Sequence, residues 1–339
     1  MCRHPITFKY LIVINPLGFM YGSAGAFLSP ENLVGRAGAK FPPEAATLAG
    51  LFFSANKINN RFDQEELRYN LYVSGPFWAK SDYPEDFYVP IPWSKVISQD
   101  GVDEWRIENG KWERNHHDLE PDYHWQQINY WHDTPEIIQG NGGVAETPWK
   151  YVPILHPRTK DDERCVRNED GLFLENTVQM SDETCLVYLS SHELPEGWYR
   201  FGGENHLVEI TSIPLSEDSL IIQLLSEPIK RAFALITPGV WGSNTLSYRY
   251  PKHPDFTQNT KKRPLMLTDR PIPYRYRAGG KMGRGRYAVP PGTVYVFPKE
   301  INKTWGEWSE DWFPKEGFSL KQLGCNLCLP IKISGVDDV

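Results

Sequence analysis

The sequence predicts an α+β protein whose antiparallel sheets are each partly covered by a few helices. Three observations favour this class. Short strand-like segments recur along the chain, only one segment has a clear helical period, and the two halves follow the same order. Each half opens with an apolar strand and ends with a glycine turn that leads into another strand. Strands interspersed with few helices are typical of α+β folds.

The first half contains the segment with the helical period. Residues 8–14 are rich in β-branched and aromatic side chains and predict a strand. Pro42-Pro43-Glu44 then opens a helix, because proline suits the first helical position and an acid suits the positive end of the helix dipole. We expect this helix to end near Asn56 and Lys57. Its apolar residues recur at i, i+3, i+4, i+7 and i+8 and predict packing on a sheet: Ala45, Leu48, Ala49, Phe52 and Phe53.

Further strands and a domain boundary follow from the rest of the pattern. A linker at 213–219 divides the chain into predicted domains 1–214 and 215–339, since one core rarely serves a chain this long. A repeated βαββαβ unit predicts that both are ferredoxin-like, or RRM-like, with antiparallel sheets, glycine-rich loops and long insertions. The other apolar segments bounded by turn residues predict short strands at 71–73, 87–91, 166–174, 185–190, 232–236 and 293–297, and residues 201–210 predict a glycine turn that enters a short strand.

Composition excludes several classes of protein. No segment approaches the 18 or more apolar residues of a membrane span, and no signal-peptide core is present, so we expect no membrane partner and a cytoplasmic location. The phosphate-binding pattern G-x-x-x-x-G-K-[ST] and the dinucleotide fingerprint are both missing, so we expect no cofactor. The cysteines are too few and too scattered for a disulfide framework: Cys2, Cys165, Cys185, Cys325 and Cys328.

Residues 100–149 predict an insertion of little periodicity that is rich in tryptophan and histidine. The histidines and nearby aspartates lack H-E-x-x-H or another tight ligand spacing, so we expect no metal and favour a surface insertion or a partner contact. The aromatic residues could stack on bases or sugars, or lie against a neighbouring subunit. The residues concerned are Trp105, Trp112, Trp125, Trp131, Trp149, His116, His117, His124 and His132. The lone pair Cys325 and Cys328 predicts small buried residues of a terminal strand.

The strongest functional signal is a basic, glycine-rich stretch. Residues 270–299 contain seven basic residues and no acidic one, in a chain whose formal charge is −7. Glycines expose backbone N–H groups, arginines supply forked donors and tyrosines supply stacking faces, which together favour a local polyanion site. The alternative is a solvated loop with no specific ligand. For RNA we expect Tyr287 or Tyr276 to stack on a base and five residues to contact phosphates: Arg275, Arg277, Lys281, Arg284 and Arg286.

A second candidate is the turn at Gly202-Gly203. Glycines there would let the backbone approach a phosphate, with Asn205 and His206 as donors, or would only bend the chain before a strand. We expect no catalytic residues, because nucleophile motifs and paired carboxylates are missing. Metal-independent RNA cleavage would need a positioned general base such as His4 or His206.

Five segments resemble a known family. Together they are similar to the RAMP superfamily of CRISPR effector subunits, and within its Cas five group to subunit three of the type III-B Cmr complex. The element V-P-x-G-[ST]-V-Y and the order of the segments carry most of the resemblance. The segments are Phe41-Pro-Pro-Glu-Ala-Ala-Thr-Leu-Ala-Gly50, Ser74-Gly-Pro-Phe77, Phe201-Gly-Gly-Glu-Asn205, Ala234-Leu-Ile-Thr-Pro-Gly239 and Ala288-Val-Pro-Pro-Gly-Thr-Val-Tyr295.

The resemblance implies two ferredoxin-like domains with glycine-rich loops before their last strands. It also implies a non-catalytic subunit that holds the 5′ repeat-derived handle of the crRNA and docks against the large polymerase/cyclase-type subunit and the backbone RAMP subunits. By position it points to Gly202, Gly203, Glu204, Asn205, Val289, Pro290, Gly292, Thr47 and Gly50.

Three features depart from the family pattern. His206 stands where the family often has a basic residue, the last glycine-rich loop keeps only Gly324, and the 100–149 insertion has no counterpart. Two other functions stay open. One is a metal-independent crRNA-processing endoribonuclease of the same superfamily, and the other is a β-rich glycan-binding module, which rests only on the tryptophan content.

Overall fold

A computed structural model describes residues 8–21, 41–157, 165–166, 172–202, 205–251, 263–275, 277–278 and 281–336 of the 339-residue chain. Within these residues the protein is α+β, with antiparallel sheets and four α-helices, so the predicted class is confirmed. Among the described helices, none is both long and apolar enough to cross a membrane.

The first half of the described chain contains most of the strands. In chain order its elements are β1 (Tyr10–Pro16), β2 (Met20–Tyr21), α1 (Ala45–Asn59), α2 (Gln64–Asn70), β3 (Val73–Lys80), β4 (Tyr88–Pro90), β5 (Lys95–Ser98), β6 (Gly101–Glu104), β7 (Arg106–Glu108), β8 (Lys111–Glu113), β9 (Trp125–Gln127), α3 (Pro135–Gly140), β10 (Val144–Ala145), β11 (Trp149–Pro157), β12 (Leu172–Met180), β13 (Thr184–Ser190), β14 (Gly197–Phe201) and β15 (His206–Pro214).

The second half has shorter strands and a single α-helix among its described residues. In chain order its elements are α4 (Leu220–Ser226), β16 (Ala232–Leu235), β17 (Trp241–Gly242), β18 (Ser247–Tyr248), β19 (Leu265–Leu267), β20 (Ile272–Tyr274), β21 (Arg277–Ala278), β22 (Lys281–Met282), β23 (Arg286–Ala288), β24 (Val294–Val296), β25 (Lys315–Glu316), β26 (Phe318–Ser319) and β27 (Cys328–Pro330).

An eight-stranded sheet forms the centre of the first half, in the order β10-β9-β4-β3-β13-β1-β15-β14. Its pairs are antiparallel, and at its middle Leu11 lies opposite Leu189 and Val13 opposite Val187. Helix α1 packs on one face, where Leu48 and Phe52 join the cluster that contains Ile12 and Ile14. Because side chains alternate along a strand, Leu11 and Val13 point to the other face.

The second half forms a four-stranded antiparallel sheet in the order β19-β24-β16-β27. In chain order these are its second, third, first and fourth strands, the same succession as β3-β13-β1-β15 in the large sheet. The helices do not repeat in the same way. In the large sheet the described chain between β13 and β15 forms β14, and between β16 and β19 it forms β17 and β18 rather than an α-helix.

The two sheets share one hydrophobic cluster. Phe77 and Val187 of the large sheet belong to the same buried cluster as Phe233 and Tyr295 of the small sheet. Strand β15 runs into the predicted linker as far as Pro214. Helix α4, which the sequence did not predict, begins at Leu220 and covers the same cluster through Ile221 and Leu224.

Residues 100–149 are ordered into secondary structure, contrary to the predicted lack of periodicity. Strands β9 and β10 extend the large sheet, and Trp131 is fully buried within the molecule. The Trp131 indole Nε1 donates to the Pro330 carbonyl at 2.8 Å, so this segment is tied to the terminal strand of the second half. Short strands of two to four residues carry too few alternations to be recognised in the sequence.

Strands β11 and β12 form a long antiparallel hairpin that pairs Trp149 with Met180 at one end and Pro157 with Leu172 at the other. Strand β2 pairs with β12, where Tyr21 lies opposite Thr177 and Met20 opposite Val178. The predicted strand 166–174 is displaced, because β12 begins only at Leu172 and continues to Met180. The predicted helix end is also displaced: α1 continues to Asn59 and closes at Asn60, whose φ of 44° places it in the left-handed region.

Candidate nucleic-acid interface

Strand β20 pairs with β23, and β21 pairs with β22; these four strands and the residues between them, 272–288, are called the basic ribbon below. In it Ile272 pairs with Ala288 and Tyr274 with Arg286. One face packs on the molecule: Tyr274 and Ala288 are buried in the cluster under α1, and the Cys325 thiol lies 3.1 Å from the Tyr274 hydroxyl. Tyr287 alternates to the other face and is 59% exposed. The basic ribbon therefore has an anchored face and an open face.

Arg286 belongs to the anchored face and is only 4% exposed. Its Nε donates to Glu316 Oε1 at 2.7 Å, and its two terminal nitrogens donate to the carbonyls of Ser243 and Asn244 at 3.0 Å each. A second bond joins Arg286 Nη2 to Glu316. Because every guanidinium nitrogen is used inside the molecule, Arg286 is not available to a phosphate. Its predicted role as an RNA contact is corrected to that of an internal anchor.

Glu316 supplies the acidic partner that the basic stretch lacks. Its Oε2 also accepts the backbone N–H of Arg284 at 3.0 Å, so one carboxylate holds two positions of the basic ribbon. Glu316 lies on β25, and Phe318 of the adjoining β26 packs on Phe53 of α1 with ring centroids 5.4 Å apart. The carboxylate is thereby linked to the helix that covers the large sheet.

The other basic residues of the ribbon are placed differently. Arg275 is exposed, and its Nε donates to the Gly283 carbonyl at 2.7 Å across the ribbon. Arg284 is exposed beside the open face. Arg277 and Lys281 lie on β21 and β22, but their side chains fall outside the described residues, as does the whole of Tyr276.

The glycine turn at 202–205 joins β14 to β15. Gly202 has a φ of +77° and Asn205 a φ of 56°, so both occupy the left-handed region that glycine and asparagine tolerate best. Gly203 and Glu204 fall outside the described residues. His206 is half-buried and pairs with Phe201 across the hairpin.

The five motifs are connected inside the molecule by side-chain and backbone contacts. In the first half Tyr188 connects three of them. Its hydroxyl donates to the Pro43 carbonyl at 2.6 Å, and its ring lies edge-on to Phe201 at 6.0 Å. A Cβ on Gly75 would approach the Tyr188 ring to 2.9 Å, which explains the glycine there.

In the second half the two remaining motifs pair with each other. The N–H groups of Gly239 and Val289 donate to each other's carbonyls at 2.8 and 2.7 Å. Gly292, at a φ of +84°, accepts from the Trp93 N–H at 2.8 Å, and a Cβ on it would lie 2.6 Å from the Ile91 carbonyl oxygen. The V-P-P-G turn therefore forms a joint between the two halves, which is a structural role.

The loop that keeps a single glycine connects the two groups of motifs. A Cβ on Gly324 would lie 2.5 Å from the Ser74 Cα, and the Gly324 carbonyl accepts from the Thr237 hydroxyl at 2.6 Å. Cys325 and Cys328, which follow Gly324 in the chain, are both buried, and burial raises the pKa of the Cys328 thiol well above its usual value.

Three histidines of the 100–149 segment each contact a different residue. The His116 N–H donates to Asp103, the His117 ring lies 6.4 Å from Trp105, and His132 Nε2 is 3.3 Å from Glu227. Among the described residues, no three His, Cys, Asp or Glu side chains are grouped so as to hold a metal ion.

Sequence reasoning missed an exposed aromatic site beside the glycine turn. Trp198 of the terminal strand β14 is 70% exposed, and the exposed Arg200 lies two residues further on the same face. Leu207, opposite Arg200 on β15, is 46% exposed. The sequence of 197–201, Gly-Trp-Tyr-Arg-Phe, has no polar and apolar alternation that would have shown which side chains are exposed.

The chain is similar to known proteins in structure rather than in sequence. No protein-family model matches the chain, and no curated protein matches it in sequence. Several solved structures of type III CRISPR effector complexes are similar to it. A chain of the type III-B Cmr-beta bound to cognate target RNA is 12% identical with a TM-score of 0.49, and the match covers 84% of this chain and 86% of that one.

Two further similar structures contain a Csm4 subunit. A chain of the Csm3–Csm4 subcomplex of the type III-A interference complex is 11% identical with a TM-score of 0.46, covering 95% of this chain and 99% of that one. A chain of the Csm1–Csm4 cassette in complex with pppApA is 10% identical with a TM-score of 0.37, covering 86% and 88%. These chains belong to the same type III CRISPR effector group that the five motifs resemble.

Proposed function

We propose that this chain is a non-catalytic subunit of a type III CRISPR RNA-guided effector complex. It binds and caps the 5′ repeat-derived handle of the crRNA, and it docks the large polymerase/cyclase-type subunit and the backbone RAMP subunits, in antiviral defence. The observation that carries the RNA-binding part is the basic ribbon. A carboxylate from elsewhere in the chain anchors its inner face, while Arg284 and Tyr287 are exposed.

The strand order supports a fold of two ferredoxin-like domains. The strands of the small sheet and four central strands of the large sheet repeat the same antiparallel order, which is the order of a βαββαβ unit. Helix α1 occupies the position of the first crossover helix in the first unit. We place the boundary at 214/215, between the end of β15 at Pro214 and the start of α4.

The RNA contacts proposed here differ from those expected from the sequence. Phosphate contacts come from Arg275, Arg277, Lys281 and Arg284, with Tyr287 stacking on a base. Arg286 fixes the ribbon and touches no RNA, because Glu316 and two carbonyls use its guanidinium. At the second site Gly202, Gly203, Asn205 and His206 bring the backbone and polar donors of the glycine turn to the handle.

The test is binding of a fluorescent handle RNA by the isolated full chain at several salt concentrations. Four neutralised phosphates predict a slope of log affinity against log salt of about −2.8, since each contributes about −0.7 on a single strand. A flat salt response would overturn the proposal. A scrambled RNA of the same length separates recognition of the handle from general attraction to polyanions.

The non-catalytic assignment has its own test. Incubation of the purified chain with repeat RNA in EDTA should leave the RNA intact, because the proposal assigns no general base. A discrete cut that disappears in His206→Ala would instead favour the endoribonuclease.

A further inference from the structure

The two edge strands of the large sheet differ in length. Strand β10 at one end has two residues, whereas β14 at the other end has five, Gly197–Phe201. In the described part of the chain no strand pairs with the outer side of β14. Proteins usually protect such an edge by shortness, lysine, proline or a bulge. Strand β14 contains neither lysine nor proline, and its register with β15 is unbroken.

One face of this edge is an open platform. Trp198 lies opposite Glu209 and Arg200 opposite Leu207, so these four side chains share one face of β14 and β15. All four are exposed. The alternating residues Phe201 and Val208 are buried on the opposite face against the α1 cluster.

The platform is the part of the sheet face that the second half does not cover. Glu209 pairs with Asn15, and two residues earlier along β1 Val13 of the same face is already buried against the second half. Beyond β1, the exposed Leu17 is bound through its N–H to the Leu207 carbonyl at 3.2 Å. Exposed apolar side chains therefore meet at the sheet edge, an arrangement typical of an interaction surface.

The chemistry of the platform favours a protein over RNA. Two leucines offer no stacking face to a base, and the carboxylate of Glu209 beside Trp198 repels phosphate. Tryptophan and arginine, in contrast, are the side chains most enriched in protein–protein contacts. Arg200 forms no ion pair with another described residue, which leaves its charge for an acidic group of a partner.

We propose that β14 is a docking edge for an extended segment of another protein subunit of the same complex. The segment adds as a strand to the outer side of β14, sets an apolar side chain over Trp198 and Leu207, and faces Arg200 with an acidic side chain. This inference rests on the proposed function, since that function supplies the complex in which such a subunit exists.

Photocrosslinking tests the proposal in the assembled complex. The full chain carries p-benzoylphenylalanine in place of Trp198 and is co-expressed with the other subunits and crRNA. The same replacement at Tyr83, which is 65% exposed on the turn after β3, is the matched control. We expect the probe at 198 to label one segment of a single other subunit that the probe at 83 does not label. Labelling of RNA, of a second copy of this chain, or of nothing in an intact complex would overturn the proposal.

Substitutions measure the same contact. Trp198→Lys should weaken binding of the labelled subunit about thirtyfold, as expected for a central tryptophan, and Arg200→Glu should weaken it about tenfold. Both variants should keep the affinity of the isolated chain for handle RNA. If the unaltered chain does not bind handle RNA, the proposed function is contradicted. If both variants bind the labelled subunit as tightly as the unaltered chain does, only the docking edge is contradicted.

Discussion

The basic ribbon and the 100–149 segment are the two regions with the most unusual composition, and the fold uses them in opposite ways. The ribbon exposes Arg284 and Tyr287, while Arg286 and Glu316 anchor its other face to the molecule. The 100–149 segment turns Trp131 into the core and ties it to Pro330. The comparison shows that an unusual composition marks a region, while burial decides which of its residues are free to meet a partner.

Both regions nevertheless depend on one buried cation each. Arg286 holds the ribbon through a carboxylate and two carbonyls, and Lys95, 8% exposed, donates from Nζ to the Trp131 carbonyl at 2.8 Å. The ribbon's cation has a direct acidic partner, whereas burial lowers the pKa of Lys95 to about 8 even though Glu104 and Asp133 act to raise it. The two cations are therefore expected to respond differently to substitution and to pH.

The largest expected effect is the loss of the ribbon's anchor. Arg286→Ala removes the buried guanidinium that bonds the half-buried Glu316 carboxylate and two carbonyls, which should lower the free energy of unfolding by about 3–5 kcal/mol. Urea denaturation of the full chain measures it. The exposed Lys80→Ala serves as the control and should change stability by less than about 0.5 kcal/mol. A loss below about 1 kcal/mol for Arg286→Ala would show that the anchor is not needed.

The next effect concerns pH and Lys95. Its pKa is about 8 in the folded protein and 10.5 as the ordinary value, so between these values the unfolded chain binds more protons. The contribution of Lys95 to the free energy of unfolding therefore rises by about 2–3 kcal/mol from pH 8 to pH 10. Urea denaturation of the unaltered chain and Lys95→Met at both pH values isolates the effect, because the other titrating groups are shared. The same difference between the two proteins at both pH values would contradict it.

A smaller effect should separate two tryptophans of the 100–149 segment. Trp131→Phe keeps most of the packing but loses the hydrogen bond to Pro330, and it should cost about 1–2 kcal/mol of unfolding free energy. Trp105→Phe is the comparison: Trp105 is only half-buried, with the Arg114 guanidinium 4.9 Å from its ring centroid. Thermal unfolding should place Trp105→Phe within about 0.5 kcal/mol of the unaltered chain. Equal losses would mean that both tryptophans serve the core.

The smallest effect should distinguish Arg284 from Arg286. Arg284→Ala should leave the free energy of unfolding unchanged and weaken the binding of handle RNA roughly fivefold. The slope of log affinity against log salt should become less steep by about 0.7. Fluorescence anisotropy of labelled handle RNA measures both quantities, with Lys80→Ala as the control. Unchanged affinity would move the RNA site away from the ribbon.

The sequence was enough to predict the elements that have a long helical stripe or an uninterrupted apolar segment. The stripe from Ala45 to Phe53 predicted α1, and the apolar segments 185–190 and 232–236 match β13 and β16 closely. Helices α2, α3 and α4 were missed because six or seven residues span barely two helical turns. The β11–β12 hairpin was missed on one side, since its first strand lies at the end of the insertion and shows no clean alternation.

For the candidate interface, the sequence predicted the segment but not the placement of each side chain. Arg284 and Arg286 stand two positions apart among glycines, and nothing local distinguishes them. The pairing of Arg286 with Tyr274 turns it inward, while Tyr287 alternates outward. Its acidic partner Glu316 lies 30 positions along the chain, beyond the reach of any local pattern.

By itself the sequence determined the α+β class, the position of α1, the basic stretch and the resemblance carried by five motifs. These follow from propensity, period and charge, which act over a few neighbouring residues. Only the tertiary structure decided that Gly292 and Gly324 serve as joints between the halves, that Arg286 is an anchor, and that Trp198 stands on an open sheet edge. The physical reason is that burial and hydrogen-bond partners depend on which distant segments meet, and sheet order and register set those meetings.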